Sequence, residues 1–244
     1  MKIKKAVSLT IIFLTLSLPV QADKIRIAVA ANFYSTLSLI KNEFEKNYDD
    51  ELIIIKGSTG KLYAQIKHGA PYDIFMAADV KRPQLLEQQG LVEDNSRYTY
   101  AKGQLVLWSP KHKDKVLSVL KNAQFKKLAM ANPKTAPYGY AANEVLTALN
   151  LKTVTKNKTV FGENIAQAFQ FVQSGSADVG FVALSYVKPV TDKYWQVPVK
   201  LYSPLKQQMV ILKRARNKTL AGKFTRFMKS QKVINIIKQQ GYII

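Results

Sequence analysis

The feature that most constrains this chain is a junction, met first at Ile53-Ile54-Ile55-Lys56-Gly57-Ser58-Thr59-Gly60-Lys61-Leu62. A run of β-branched residues reads as a buried strand. It breaks at Gly57, passes two hydroxyl residues, and enters a stretch with helical spacing at Leu62 and Ile66. A strand that feeds a small-residue turn and then a helix leaves the first backbone N–H groups of that helix without partners. Together with the Ser58 and Thr59 hydroxyls, those groups suit an anion. Gly60-Lys61 also resembles the end of a nucleotide-binding P-loop. That pattern needs Gly at 55 and Ser or Thr at 62, where this chain has Ile55 and Leu62, so nucleotide hydrolysis is excluded here.

The same construction recurs. Ile25 to Ala31 reads as a strand buried on both faces. It ends at Asn32, expected as an N-cap, before Phe33, Leu37, Ile40 and Phe44 on one helical face. Pro71 to Ala78 reads as a third strand. Asp79 is expected as an N-cap, with Pro83 in the first turn of the helix that follows. Gln104–Ser109 and Lys127–Ala131 read as strands. Residues 132–140, with Pro133, Pro137 and Gly139, read as a loop leading to a helix over Ala141–Leu149. Thr159-Val160-Phe161 is a short strand, and Gly162-Glu163-Asn164 opens a helix carrying Ile165, Phe169 and Val172. Residues 190–207 read as irregular, and Gln208–Leu212 as a last strand. Strand and helix in alternation predict parallel sheets covered by helices on both faces. Ligands of such sheets collect beyond the carboxyl ends of the strands. Two sheets facing each other would set Asn32, Ser58 and Thr59 opposite Tyr138 and Ile165.

The N-terminus is basic at Lys2, Lys4 and Lys5, apolar from Ala6 to Val20, and small at Ala22. It reads as a secretory signal peptide over residues 1–22, cleaved after Ala22, which predicts a periplasmic or secreted protein. The chain has no cysteine, so a disulfide framework is excluded. Removing the three lysines of that segment from a formal net charge of +21 leaves +18. Such a balance raises anionic partners, but the lysines are spread along the chain, and no zinc-finger, helix-turn-helix or RNP pattern accompanies them. No nucleic-acid partner is expected. His68 and His112 are the only histidines, and no H-E-x-x-H, Cys nucleophile or G-x-S-x-G is present. No enzyme and no cofactor are expected.

Several motifs, in order, are similar to those of the periplasmic molybdate-binding proteins, the solute receptors of molybdate ABC transporters. They are Val29-Ala30-Ala31-Asn32-Phe33, Gly57 to Ile66, and Gly69-Ala70-Pro71-Tyr72-Asp73-Ile74-Phe75. Asn132-Pro133 with Ala136-Pro137-Tyr138-Gly139, Gly180-Phe181-Val182-Ala183 and Gly241-Tyr242 complete the likeness. The resemblance covers essentially the whole chain after residue 22. It implies a type II periplasmic binding protein fold, in which two doubly wound α/β domains enclose a ligand cleft. The implied division is residues 23–103 with 208–244, and 104–207. The family's donors fall on Asn32, Thr59 (with Ser58 beside it), Tyr138 and Ile165, the last through its backbone N–H. They reach molybdenum through the molybdate oxygens and not as direct metal ligands. A tyrosine that some relatives carry falls here on Ala183. The implied partners are molybdate or tungstate and the membrane permease of the transporter, with the receptor a monomer. A receptor for another oxyanion such as sulfate, or a basic surface-binding protein, stays open as an alternative.

Overall fold

The computed structural model describes residues 23–244; the signal peptide expected over 1–22 lies outside them. Ten strands are β1 Lys24–Ala30, β2 Glu51–Gly57, β3 Ile74–Met76, β4 Tyr98–Gly103, β5 Leu105–Trp108, β6 Leu128–Ala131, β7 Thr159–Gly162, β8 Val179–Ala183, β9 Trp195–Gln196 and β10 Leu205–Ile211. Helices α1 Tyr34–Glu45, α2 Thr59–Lys67 and α3 Lys81–Gln88 follow the first strands. Then come α4 Val116–Lys121, α5 Pro137–Ala148, α6 Lys152–Thr155, α7 Ile165–Gln173 and α8 Leu184–Val187. The chain closes with α9 Lys218–Met228 and α10 Gln231–Gln239.

The strands form two five-stranded sheets of one plan, ordered β2-β1-β3-β10-β4 and β7-β6-β8-β5-β9. In each, three strands run parallel and the other two are joined by antiparallel pairing. The expected parallel sheet is met by three strands of each, and is corrected where β4, β5, β9 and β10 enter by antiparallel pairing. The antiparallel pairs involve β4, β5 and β10, which lie where the chain crosses between the lobes. Each sheet is covered on both faces. Leu37, Ile40 and Phe44 of α1 join Phe224 of α9 and Ile237 of α10 on one face of the first sheet. Leu62, Ile66 and Leu86 cover its other face. Burial at i, i+3 and i+7 on α1 is what its spacing predicts.

Four readings need correction. Asn32 is not an N-cap: it lies inside a 3-10 turn over Ala31–Phe33, whose cap is Ala30, with no side-chain cap hydrogen bond. Residues 137–140 are not loop, because α5 already begins at Pro137. Proline suits the first helical position, where its missing N–H would have no partner anyway. Gly139 is needed there by proximity: a Cβ would sit 2.2 Å from the Ala131 carbonyl oxygen. The last strand begins at Leu205, paired with Gly103, and not at Gln208. Asp79 precedes the Val80 cap of α3 by one residue, yet its Oδ1 still accepts from the Arg82 N–H at 3.0 Å.

Candidate functional site

Four chain segments leave the carboxyl ends of β1, β2, β6 and β7 and meet between the two sheets. They line a small cavity of about 10 Å³, open on one side, which Asn32, Ser58, Thr59, Tyr138 and Ile165 all border. Ala31, Ala78 and Asn164 line it too, without having been singled out from the sequence. A wider cleft of about 480 Å³ adjoins it, sharing Ala78, Ala136 and Pro137 and rimmed by Lys81, Arg82 and Lys134.

The donors follow from tracing the backbone hydrogen bonds of each helix start. In α2, Ser58 Oγ accepts from the Lys61 N–H at 3.4 Å, and Leu62 donates to the Ser58 carbonyl. Gly60 donates across the cleft to the Thr135 carbonyl at 2.8 Å. That leaves the Thr59 N–H. In α5, Gly139 and Tyr140 both donate to the Ala136 carbonyl and Pro137 has no N–H, which leaves Tyr138. In α7, Asn164 Oδ1 accepts from Ala166 and Gln167 at 3.0 and 3.2 Å, which leaves Ile165. In the 3-10 turn the Tyr34 N–H takes the Ala31 carbonyl, and the Asn32 N–H is left. Among the described residues, none accepts from the backbone N–H of Asn32, Thr59, Tyr138 or Ile165. All four residues border the one cavity.

The hydroxyls add to this set. Thr59 Oγ1 accepts from the Ala78 N–H at 3.1 Å, so its own hydrogen is left to donate. Both Ser58 and Thr59 are buried. The Asn32 side chain, by contrast, is held within the protein. Its Nδ2 donates to Gln207 Oε1 at 2.9 Å and to Tyr242 Oη at 3.2 Å. The peptide carrying the Asn32 N–H is fixed at its carbonyl end, where Tyr186 donates to the Ala31 oxygen. Tyr138 Oη accepts from Gln207 Nε2 at 3.4 Å. Ala183, where some relatives carry tyrosine, is buried in β8 and does not border the cavity.

Among the described residues, no charged side chain lines the cavity. Burial pushes the Tyr138 and Tyr100 phenols well above their ordinary value, with neighbouring phenols adding to the shift. Burial likewise raises Tyr242, to about 12, against hydrogen bonds with Ser185 and Asn32 that work the other way. These phenols are therefore neutral near pH 7. The charges stand at the rim. Asp79 pairs with Arg82, and Lys61 Nζ meets Glu163 Oε1 at 2.9 Å across the cleft. With side chains 55% and 54% exposed, the Lys61–Glu163 pair is worth little. Lys61→Ala is expected to weaken anion binding no more than about fivefold, with the loss fading in high salt, as calorimetry at two ionic strengths would read.

What sequence reasoning missed is the layer behind the cavity: Gln207, Tyr100 and Ser185, together with any role for Tyr242, which was named only as part of the likeness. Gln207 carried a usable signal, an amide at the head of an apolar strand, since a buried amide needs partners.

The comparisons with known proteins agree with this architecture. The family described as bacterial extracellular solute-binding protein matches residues 25–243. The chain is 45% identical over 228 residues to the molybdate-binding protein ModA of Azotobacter vinelandii, covering 91% of this chain and 90% of that one. It is 38% identical over 231 residues to the molybdate-binding protein ModA of Rhodobacter capsulatus, covering 93% and 91%. The solved Azotobacter vinelandii periplasmic molybdate-binding protein superimposes with a TM-score of 0.86 at 38% identity, covering 90% of this chain and 99% of that one. The chain belongs to the bacterial extracellular solute-binding proteins and, within them, to the family of the periplasmic molybdate-binding proteins.

Proposed function

We propose that this protein captures molybdate, and tungstate with it, between its two lobes and delivers it as a monomer to the permease of an ABC transporter. The observation that carries the reading is the convergence of four unpartnered backbone N–H groups on one uncharged cavity. A tetrahedral dianion offers only acceptors and is matched by donors from all sides. Hydrogen bonds to a charged group contribute roughly 1.5–3 kcal/mol each, and helix N-termini favour negative charge without a countercharge. The leader expected over residues 1–22 would place the mature chain, from Asp23, in the periplasm.

The cavity has room for about one water-sized sphere, so an oxyanion enters only if the lobes part. Three contacts then close behind it: the Gly60 N–H to the Thr135 carbonyl, Lys61 to Glu163, and Arg82 Nη2 to the Lys134 carbonyl at 3.3 Å. Phosphate is discriminated against. At neutral pH it keeps a proton that needs an acceptor, and the two nearest carboxylates, Glu163 and Asp79, are paired at the rim rather than lining the cavity.

Calorimetry against molybdate, tungstate, sulfate and phosphate tests the reading. One molybdate per chain, tungstate alongside it, and phosphate far weaker are expected. Saturating molybdate should also raise the melting temperature and reduce the radius of gyration in X-ray scattering. Equal affinity for phosphate and molybdate, or no response to molybdate in any of these measurements, would overturn it.

A further inference from the structure

We infer that Gln207 is a positioning residue for the anion site, tying its two walls together through a single buried side chain. The inference rests on the anion-receptor reading above and adds a residue that does not border the cavity. Gln207 lies on β10, the strand on which the chain returns to the first sheet, opposite Ala101 and beside a bulge between Gln207 and Gln208. It is fully buried. Its Oε1 accepts from Asn32 Nδ2 at 2.9 Å and from Tyr100 Oη at 3.1 Å. Its Nε2 donates to Tyr138 Oη at 3.4 Å. Asn32 belongs to the first lobe and Tyr138 to the second, and each presents a backbone N–H to the cavity. One amide thus links two opposed donors.

The surroundings are built for that link. A Cβ on Gly103 would stand 2.1 Å from Tyr138 Oη and 2.6 Å from Gln207 Nε2, so only glycine lets the phenol and the amide meet there. The single Tyr100 hydroxyl hydrogen is shared between Gln207 Oε1 and the Ala77 carbonyl, each 3.1 Å away, the latter beside the Ala78 whose N–H holds the Thr59 hydroxyl. The two contacts of Gln207 within the first lobe are the shorter ones, and the contact to the second lobe is the longest. In this arrangement of the lobes Gln207 holds Asn32 and Tyr138 at once.

An amide at this position both accepts and donates, and that dual role supplies the test. Gln207→Met keeps the volume and removes all three hydrogen bonds. It is expected to weaken molybdate binding about tenfold while the variant still unfolds cooperatively. Adding Tyr138→Phe to Gln207→Met should change affinity by less than about twofold, because the link is already gone. Gln207→Glu keeps both roles only while its carboxyl is protonated. Relative to the wild type at each pH, it should bind molybdate best near about pH 5.5 and lose affinity towards about pH 8.5, as a buried carboxyl ionises. The titratable groups facing this position are the phenols of Tyr100, Tyr138 and Tyr242, raised by burial, with the Asp79 carboxylate beyond Tyr100 and paired to Arg82. Wild-type affinity in Gln207→Met, or a Gln207→Glu profile parallel to the wild type, would overturn the assignment. If Gln207→Met fails to fold, Tyr138→Phe alone decides: an approximately threefold loss is expected, and no loss overturns it. A wild-type chain that binds no molybdate would instead defeat the functional reading itself.

Discussion

Thr59→Val is expected to lower molybdate affinity by about 10- to 150-fold, and Thr59→Ser to stay near the wild type. Valine matches threonine in shape, so the change removes a hydroxyl and little else. That hydroxyl has two duties in the structure. Its oxygen accepts from the Ala78 N–H at 3.1 Å, and its hydrogen is left to face the cavity that Thr59 lines. Losing the second duty removes a donor from a desolvated dianion, worth roughly 1.5–3 kcal/mol of binding. Losing the first leaves a buried N–H unpaired, which costs about 1–3 kcal/mol of stability even without ligand. Thr59→Val should therefore melt lower than the wild type in the unliganded state and gain less from molybdate. The affinity loss should persist at high salt, because short contacts inside the cavity are screened far less than charges at the rim. Calorimetry and melting curves of both variants at low and high salt check this. A Thr59→Val chain with wild-type affinity would remove the hydroxyl from the donor set.

The contrast with Lys61 separates two origins of affinity. A chain of formal net charge +21 invites the view that lysines hold the anion. The nearest candidate is instead paired with Glu163 and half exposed. On the proposed reading, positive charge at the rim serves attraction over distance, and the donors inside would provide the specific contacts.

Much of this was legible in the sequence, for identifiable reasons. β1 announces itself because a strand buried on both faces reads as a continuous apolar run, and α1 because Leu37, Ile40 and Phe44 keep helical spacing. β2 was legible as a strand from its β-branched run, but it is an edge strand whose Ile53, Ile54 and Ile55 are half-buried, not the buried strand expected. The helix openings at Ser58 and Asn164 were legible because a short polar side chain before an apolar periodic stretch has few other uses, and the structure shows both side chains capping. The start of α5 was hidden by Pro137 and Gly139. Both count as helix breakers in isolation, yet here one sits where no N–H is needed and the other where no Cβ fits. β4 escaped notice because Tyr98-Thr-Tyr-Ala-Lys-Gly lacks an apolar run and is held by pairing with β10, more than a hundred residues away. The role of Asn32 was half legible. Its position at a strand end could be read, but its side chain turns to Gln207 and Tyr242, partners 175 and 210 residues distant. Local sequence carries no record of such pairings.

The claim that backbone donors at helix starts hold the anion is tested most directly at Ile165. It is the first residue of α7, where a proline is tolerated because the helix itself makes no use of that N–H. The preceding Asn164 is already extended, at φ −145° and ψ 176°, as a residue before proline prefers to be. Ile165→Pro thus deletes one backbone donor and leaves the helix in place. Ile165 is buried, so the smaller ring also loses packing, and Ile165→Val controls for that loss while keeping the N–H. The measurement is molybdate calorimetry on the two variants, with circular dichroism to verify that helix content is unchanged. Ile165→Val should bind within about threefold of the wild type, and Ile165→Pro about 10- to 150-fold more weakly than Ile165→Val at any salt concentration. A folded Ile165→Pro chain that binds molybdate as tightly as Ile165→Val would contradict the account.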